Sequence, residues 1–217
     1  MYTASFGKGN HHAETWRLNS PEPTLQQISE AHIAECLRGE QAGYSALYEL
    51  YAAGVYRLCY NLLLNRDDAE DIAQDSFVYA FKNVGRYDPA KASFKTWLYT
   101  IAICRCRNLY RRNRVPLLDI AAMLHNPLTA PKSDSPEAAF AHRNAREALE
   151  KALSRLQPRL REAIVLRYGH GMTYREIAEV MDCPAKTAES RVRLATEALG
   201  GMLRPAGAHL LEELLSY

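Results

Sequence analysis

MTYREIAEVMDCPAKTAESRVRLATEALG (Met172–Gly200) is the stretch whose reading decides the fold. It reads as two helices joined by a tight turn. Thr173 and Glu176 stand at capping-box spacing, so each side chain satisfies a free amide of the other residue at a helix start. Ile177, Ala178 and Met181 then form an apolar stripe. Asp182-Cys183-Pro184 ends that helix: Asp tolerates left-handed backbone, and Pro fits the first turn of the helix that follows. In the second helix Ala188, Val192, Ala195 and Leu199 share one face, while Lys186, Thr187, Ser190 and Arg191 lie toward the other. One side packs on the first helix and the other offers donors to a DNA major groove. An ordinary amphipathic hairpin carries the same periodicity, so the rest of the chain must decide between the two.

The net charge of the 217-residue chain is only +2, so affinity for a polyanion has to come from local clusters. The first twenty residues lack the apolar core of a signal peptide, and no apolar run is long enough to cross a bilayer. A cytoplasmic address without membrane insertion is expected. The five cysteines form no CxxC pair. Cys104 and Cys106, two apart on a helix, point to nearly opposite sides and are poorly placed to share a metal. Neither a metal nor a cofactor is expected, and His11-His12 reads as part of a polar tail.

Residues 1–30 read as a flexible extension that ends in a short helix from Leu25. From Ala31 a helical period runs through Ile33, Leu37, Tyr44, Leu47, Tyr48, Tyr51, Val55, Leu58, Leu62 and Leu63, with a break near Gly39 to Gly43. The tyrosines read as core. Asn65-Arg66-Asp67-Asp68 is a turn. Asp67, Asp68, Glu70 and Asp71 crowd the first turn of the next helix, where carboxylates favour the positive end of the dipole. Ala69, Ile72, Ala73, Phe77, Ala80, Phe81 and Val84 form its buried stripe. Asp71, Gln74, Asp75 and Val78 run along the opposite face, and an exposed valine beside carboxylates points to a partner surface. A carboxylate metal site on Asp67, Asp71 and Asp75 is the competing reading. It lacks a nearby His ligand or a general base with a matched partner.

Gly85 to Ala92 is a loop by its Gly, Asp and Pro content. In Ser93-Phe94-Lys95-Thr96-Trp97-Leu98-Tyr99-Thr100-Ile101-Ala102, aromatics interleave with hydroxyl and basic residues. Leu98, Ile101 and Ala102 face a core, which sends Lys95, Thr96 and Tyr99 toward the surface. Arg105, Arg107, Arg111, Arg112 and Arg114 follow on the same helix. Aromatic rings stack on unpaired bases and guanidinium groups hold phosphates, so this pairing points to nucleic acid. Residues 115–134 contain three prolines and polar breaks, and read as an interdomain linker. Helix restarts at Ser135-Pro136-Glu137, with a further helix from Pro158. Apolar positions run through Ala145, Leu149, Ala152, Leu153 and Leu156, then Leu160, Ala163, Ile164, Leu166 and Tyr168. His170, between two glycines, reads as a turn residue. The expected architecture is all-α: two small helical domains, 31–114 and 135–204, joined by a flexible linker, with a helix-turn-helix in the second and a short amphipathic tail at 205–217.

The ordered set of segments resembles the extracytoplasmic-function, or group IV, sigma factors of bacterial RNA polymerase. The segments are DDAEDIAQDSFVYAF (67–81), SFKTWLYTIA (93–102), SPEAAFAHRNAREALEKALSRLQPRLREAIVLRY (135–168), TYREIAEVM (173–181) and AKTAESRVRLA (185–195). The resemblance implies a non-enzymatic promoter-specificity subunit. In it Asp71, Gln74 and Asp75, beside Val78, meet the clamp coiled coil of the polymerase's largest subunit. Ser93, Phe94, Lys95, Thr96, Trp97 and Tyr99 capture a base turned out of the −10 element. Arg105, Arg107, Arg111 and Arg112 hold adjacent phosphates. Lys186, Thr187, Ser190 and Arg191 read the −35 element. Core polymerase and promoter DNA are the implied partners, with an anti-sigma protein as a further one. Cys104 stands where the family often has Asn, Asp182 where Gly is common, and Leu194 and Thr196 where basic residues are frequent. The Cys104 departure bears on the detail of −10 base capture, and the departures in the second module imply a distinct −35 preference. The competing function is a free-standing helix-turn-helix regulator whose first domain senses a ligand or partner.

Overall fold

The computed structural model describes residues 23–112 and 136–202, and all the regular structure among them is helical. Most of the extension, the linker at 115–134 and the tail at 205–217 lie outside the described residues, as does Arg114. Helix α1 (Leu25–Leu37) opens with a capping box. The Thr24 hydroxyl accepts from the Gln27 amide, and the Gln27 side chain accepts from the Thr24 amide at 2.8 Å. The expected boundary after residue 30 therefore falls inside a helix. Gly39, with φ of 79°, makes the turn into α2 (Gln41–Leu63). Gly43, expected in a break, sits two residues inside α2, where its missing side chain admits the backbone of α1.

Leu64 takes the left-handed conformation that ends α2. Asn65 then caps α3 (Arg66–Lys82) by accepting from the Asp68 amide at 3.0 Å. Asp67 and Asp68 occupy the first turn as expected, and Ala69, Ala73, Phe77 and Ala80 are buried. A 3₁₀ turn at Val84–Arg86 leads through a loop to α4 (Phe94–Arg112). Helices α1 to α4 pack around Leu47, Leu58, Leu62, Phe94, Leu98 and Ile103. Two positions of the expected core stripe are exposed, Leu37 at the end of α1 and Tyr48 on the outer side of α2. A seven-residue period marks a face, and its ends and edges reach past the neighbouring helix.

The second module comprises α5 (Pro136–Arg155), α6 (Pro158–Ile164), α7 (Tyr174–Met181) and α8 (Ala185–Met202), with a π-turn at Val165–Gly169 continuing α6. The Thr173 hydroxyl accepts from the Glu176 amide at 3.3 Å, and the Glu176 carboxylate accepts from the Thr173 amide at 2.8 Å. Asp182 adopts φ 51° and ψ 63° at the end of α7. Pro184 precedes the first turn of α8 instead of lying in it; its carbonyl accepts from the amides of Thr187 and Ala188 at 2.8 and 3.1 Å. Ala188, Val192, Ala195 and Leu199 are buried, and α8 packs on α6 and α7. Asp182→Gly is expected to raise stability by about 0.5–1 kcal/mol, because glycine enters the left-handed region without the steric cost of a Cβ. Urea denaturation measures it; a loss would show that the Asp182 carboxylate offsets its own backbone cost. No helix among the described residues is long and apolar enough to cross a membrane.

Candidate nucleic-acid interface

Along α8 the buried line of Ala188, Val192, Ala195 and Leu199 fixes which residues stand opposite. Lys186 is exposed there, and Ser190 is half-buried with its hydroxyl donating to the Lys186 carbonyl at 2.9 Å. Thr187 and Arg191 lie on the flank, half-buried, and the Nη1 of Arg191 is buried without a hydrogen bond. Arg193 occupies the outer face instead, exposed and paired with Glu197 at 2.6 Å, with exposed Leu194 beside it. Arg193, seven residues after Lys186, falls on the same face, and the helical period alone suffices to place it there.

The start of α4 is held by an aromatic cluster. The Phe94 ring is fully buried, its centroid 5.4 Å from Tyr51, 5.6 Å from Tyr87 and 5.7 Å from Trp97. Ser93 caps the helix by accepting from the Thr96 amide at 3.1 Å. Tyr87 donates from its hydroxyl to the Ala92 carbonyl at 3.1 Å and accepts from Gln26 at 3.0 Å. The loop before α4 is thus pinned from both ends and from α1.

Thr96 and Tyr99, expected at the surface, are each only 2 % exposed. Thr96 lies inward beside the Ser93 hydroxyl, 2.9 Å away. The Tyr99 ring fills the space left by Gly54, where a Cβ would come within 2.7 Å of the phenol oxygen, and the hydroxyl meets Nδ1 of His170 at 3.2 Å. Burial pushes the Tyr99 phenol well above its ordinary range. Lys95 and Trp97 remain half-buried.

The arginines of α4 divide into three kinds. Arg105 reaches Asp75 at 3.3 Å and lies over the Tyr79 ring. Arg107 donates from Nε and Nη2 to the two oxygens of Glu162 at 2.8 and 2.7 Å. Arg111 and Arg112 are exposed at the end of the helix. On α3, Asp71, Gln74 and Asp75 are exposed, with Val78 half-exposed next to Tyr79, so an apolar step borders the carboxylates. The Asp67, Asp71 and Asp75 series does not gather: among the described residues no three metal-ligating side chains converge.

His170 is a seam residue as well as a turn residue. Its carbonyl accepts from the Lys95 ammonium at 2.9 Å, and its ring stands edge-on to Tyr99. Burial, with the charges of Lys95 and Arg57 adding to it, pushes the imidazole down to about 3, so it is neutral at physiological pH. Nothing in the sequence pairs residues 71 apart; only the folded chain shows this contact.

The sequence matches two family models, sigma-70 region 2 over residues 47–115 and sigma-70 region 4 over residues 146–199. Among curated proteins it is 28% identical to the RNA polymerase sigma-H factor of Pseudomonas aeruginosa, over 83% of this chain and 96% of that one. It is also 28% identical to the extracytoplasmic-function sigma factor SigW of Bacillus subtilis, over 83% of this chain and 99% of that one. The sigma-E factor of Escherichia coli K12 is 27% identical over 83% of this chain and 97% of its own length. Two solved structures share the fold. CnrH in complex with the cytosolic domain of CnrY has a TM-score of 0.62 at 23% identity, covering 82% of this chain and 99% of that one. RpoE of Bartonella quintana in complex with the anti-sigma factor NepR has a TM-score of 0.60 at 23% identity, covering 76% and 98%.

Proposed function

The chain belongs to the extracytoplasmic-function group of the sigma-70 family, and from that premise we propose which of its surfaces carries each step of promoter recognition. It is a sigma factor: it directs core RNA polymerase to promoters and helps open them. The observation that carries the assignment is the order of two modules in one chain. An acidic helix leading to an aromatic-capped basic helix comes first, and a helix-turn-helix comes second.

The α3 face of Asp71, Gln74, Asp75 and Val78 is the surface for the polymerase clamp. An exposed valine bordering the carboxylates of Asp71 and Asp75 suits a helical partner better than solvent. The segment Ser93–Tyr99 captures the −10 base. Trp97 supplies a ring for stacking, and the capped, pinned backbone supplies a rigid rim. Arg111 and Arg112, both exposed, hold phosphates, and Arg105 and Arg107 join them once released from Asp75 and Glu162. On α8, Lys186, Ser190 and Arg193 are presented to the −35 major groove, with Thr187 and Arg191 on the flank. An anti-sigma protein is a further partner; CnrH and the Bartonella RpoE are solved with CnrY and NepR respectively.

Transcription with purified core polymerase tests the assignment. Addition of the chain should yield transcripts from a defined subset of promoters. Val78→Asp should weaken core binding about tenfold or more by desolvating a carboxylate against the clamp. Arg193→Ala should cost about 1–3 kcal/mol in discrimination of −35 sequence. If core is not stimulated, and the chain instead binds one operator tightly as a dimer, it acts as a free-standing regulator.

A further inference from the structure

Building on the reading of α8 as the −35 helix, we propose that Glu189 reads a cytosine of that element, accepting from its exocyclic amine in the major groove. Glu189 is exposed and borders the edge of the presented face that carries Lys186 and Arg193. It stands three residues after Lys186 and four before Arg193, the spacings at which helical side chains are neighbours. Both neighbours are cations, yet neither holds the carboxylate. Arg193 turns instead to Glu197 at 2.6 Å, and among the described residues the Glu189 side chain has no ion pair or hydrogen bond. The buried line of Ala188, Val192, Ala195 and Leu199 fixes the phase of the helix, so Glu189 stays at this edge when α8 enters the groove.

A free carboxylate on a face that meets phosphates adds repulsion at every sequence. A base amine reverses that sign, because a hydrogen bond to an ionised acceptor is stronger than one between neutral groups. The major-groove edges leave one base that fits. Guanine shows two acceptors, and thymine an acceptor and a methyl group. Adenine sets its N7 acceptor beside its amine. Cytosine shows the amine donor alone. A carboxylate accepts and does not donate, so it matches cytosine and is repelled by guanine. Lys186 and Arg193, on either side, supply the donors that phosphates and guanine edges require. The acid is therefore bracketed by cations that draw the helix to the duplex, and its own contact selects among sequences once there.

The test uses holoenzyme reconstituted from the full-length chain and core polymerase. It is offered a promoter that it transcribes, with the −35 element randomised, and the bound fraction is sequenced. Wild type should enrich cytosine at one position. Glu189→Ala should erase that preference, with cytosine losing about tenfold or more against the other bases there. Glu189→Gln should move the preference to adenine, because an amide both accepts from N6 and donates to N7. Glu197→Gln removes the same charge from the same helix and should leave the cytosine in place. Each variant should bind the unselected pool at least as tightly as wild type, since each removes a negative charge from the face. Glu189 is exposed, so these substitutions leave the buried line of α8 untouched. A wild-type pool without the cytosine, or one that Glu189→Ala leaves unchanged, would overturn the proposal and make Glu189 a solvated charge, with the sigma assignment intact. If the chain stimulates no transcription by core polymerase, that assignment falls instead. A fully randomised duplex offered to the chain alone then decides the role of Glu189 by the same two criteria.

Discussion

Phe94→Ala is expected to remove about 3–5 kcal/mol of stability, the range for deleting a buried aromatic ring and leaving a cavity. The Phe94 ring is fully buried and touches Tyr51 of α2, Tyr87 of the loop and Trp97 of α4. These neighbours belong to three separate segments, so no single movement closes the hole. The Tyr51 hydroxyl is itself held 2.6 Å from Ser29 of α1, which limits how far that ring follows. The functional loss should exceed the stability loss at temperatures where the variant is folded. Trp97 and the backbone from Ser93 form the rim proposed for base capture, and both lean on Phe94. Denaturation in urea gives the first quantity, and permanganate footprinting of the promoter bubble formed with core polymerase gives the second. A stability change below about 1 kcal/mol would mean the cluster collapses freely around the cavity and so does not hold the loop. Normal bubble formation would separate the cluster from −10 capture.

The helix-turn-helix was legible because its determinants are local. Thr173 and Glu176 cap α7, Asp182 turns the chain, and the buried line from Ala188 to Leu199 sets the orientation of α8, all within thirty consecutive residues. The acidic first turn and buried stripe of α3 were legible for the same reason. What escaped was the environment of the first module's basic helix. Periodicity divides a helix into a face that packs and a face that does not; it does not say how many neighbours the helix has. Helix α4 has four, α1, α2, α3 and α7, so Thr96 and Tyr99 are covered although they lie off the stripe of Leu98 and Ala102. Arg107 and Glu162 are 55 residues apart on opposite sides of the linker, and no spacing rule joins them. The flank position of Arg191, against the outward position of Arg193, depends on the precise phase of α8. A few tens of degrees in that phase exchange the two, and the buried line resolves it. At Lys95, Tyr99 and Arg107 the cause is shared: each side chain, placed toward solvent or DNA by its spacing, meets a group of the second module.

The clearest conflict between local preference and tertiary packing is at Gly43, where Gly43→Ala is expected to destabilise by about 2 kcal/mol or more. Local preference alone predicts the opposite sign, since alanine is favoured over glycine inside a helix by about 1 kcal/mol. A Cβ at this position, however, would come within 2.6 Å of the His32 carbonyl oxygen, 2.7 Å of the Glu35 Cβ and 3.0 Å of the Cys36 amide nitrogen. Two of these three atoms are backbone of α1, so a rotamer change gives no relief and the helix itself must move. Overpacking of this kind costs about 1–3 kcal/mol where side chains alone adjust, and more where a helix shifts. The displacement would reach the DNA face, because α1 carries Gln26, whose amide donates to Tyr87 and whose oxygen accepts from the Phe94 amide at 3.3 Å. Gly39→Ala is the control: nothing lies within 4 Å of its Cβ, and its φ of 79° exacts only a backbone cost of about 1 kcal/mol. Urea denaturation of the two variants should therefore rank Gly43→Ala as the more damaging, with impaired promoter opening in that variant alone. A neutral or stabilised Gly43→Ala would show that α1 and α2 do not approach at this point and that α1 does not set the position of the −10 loop.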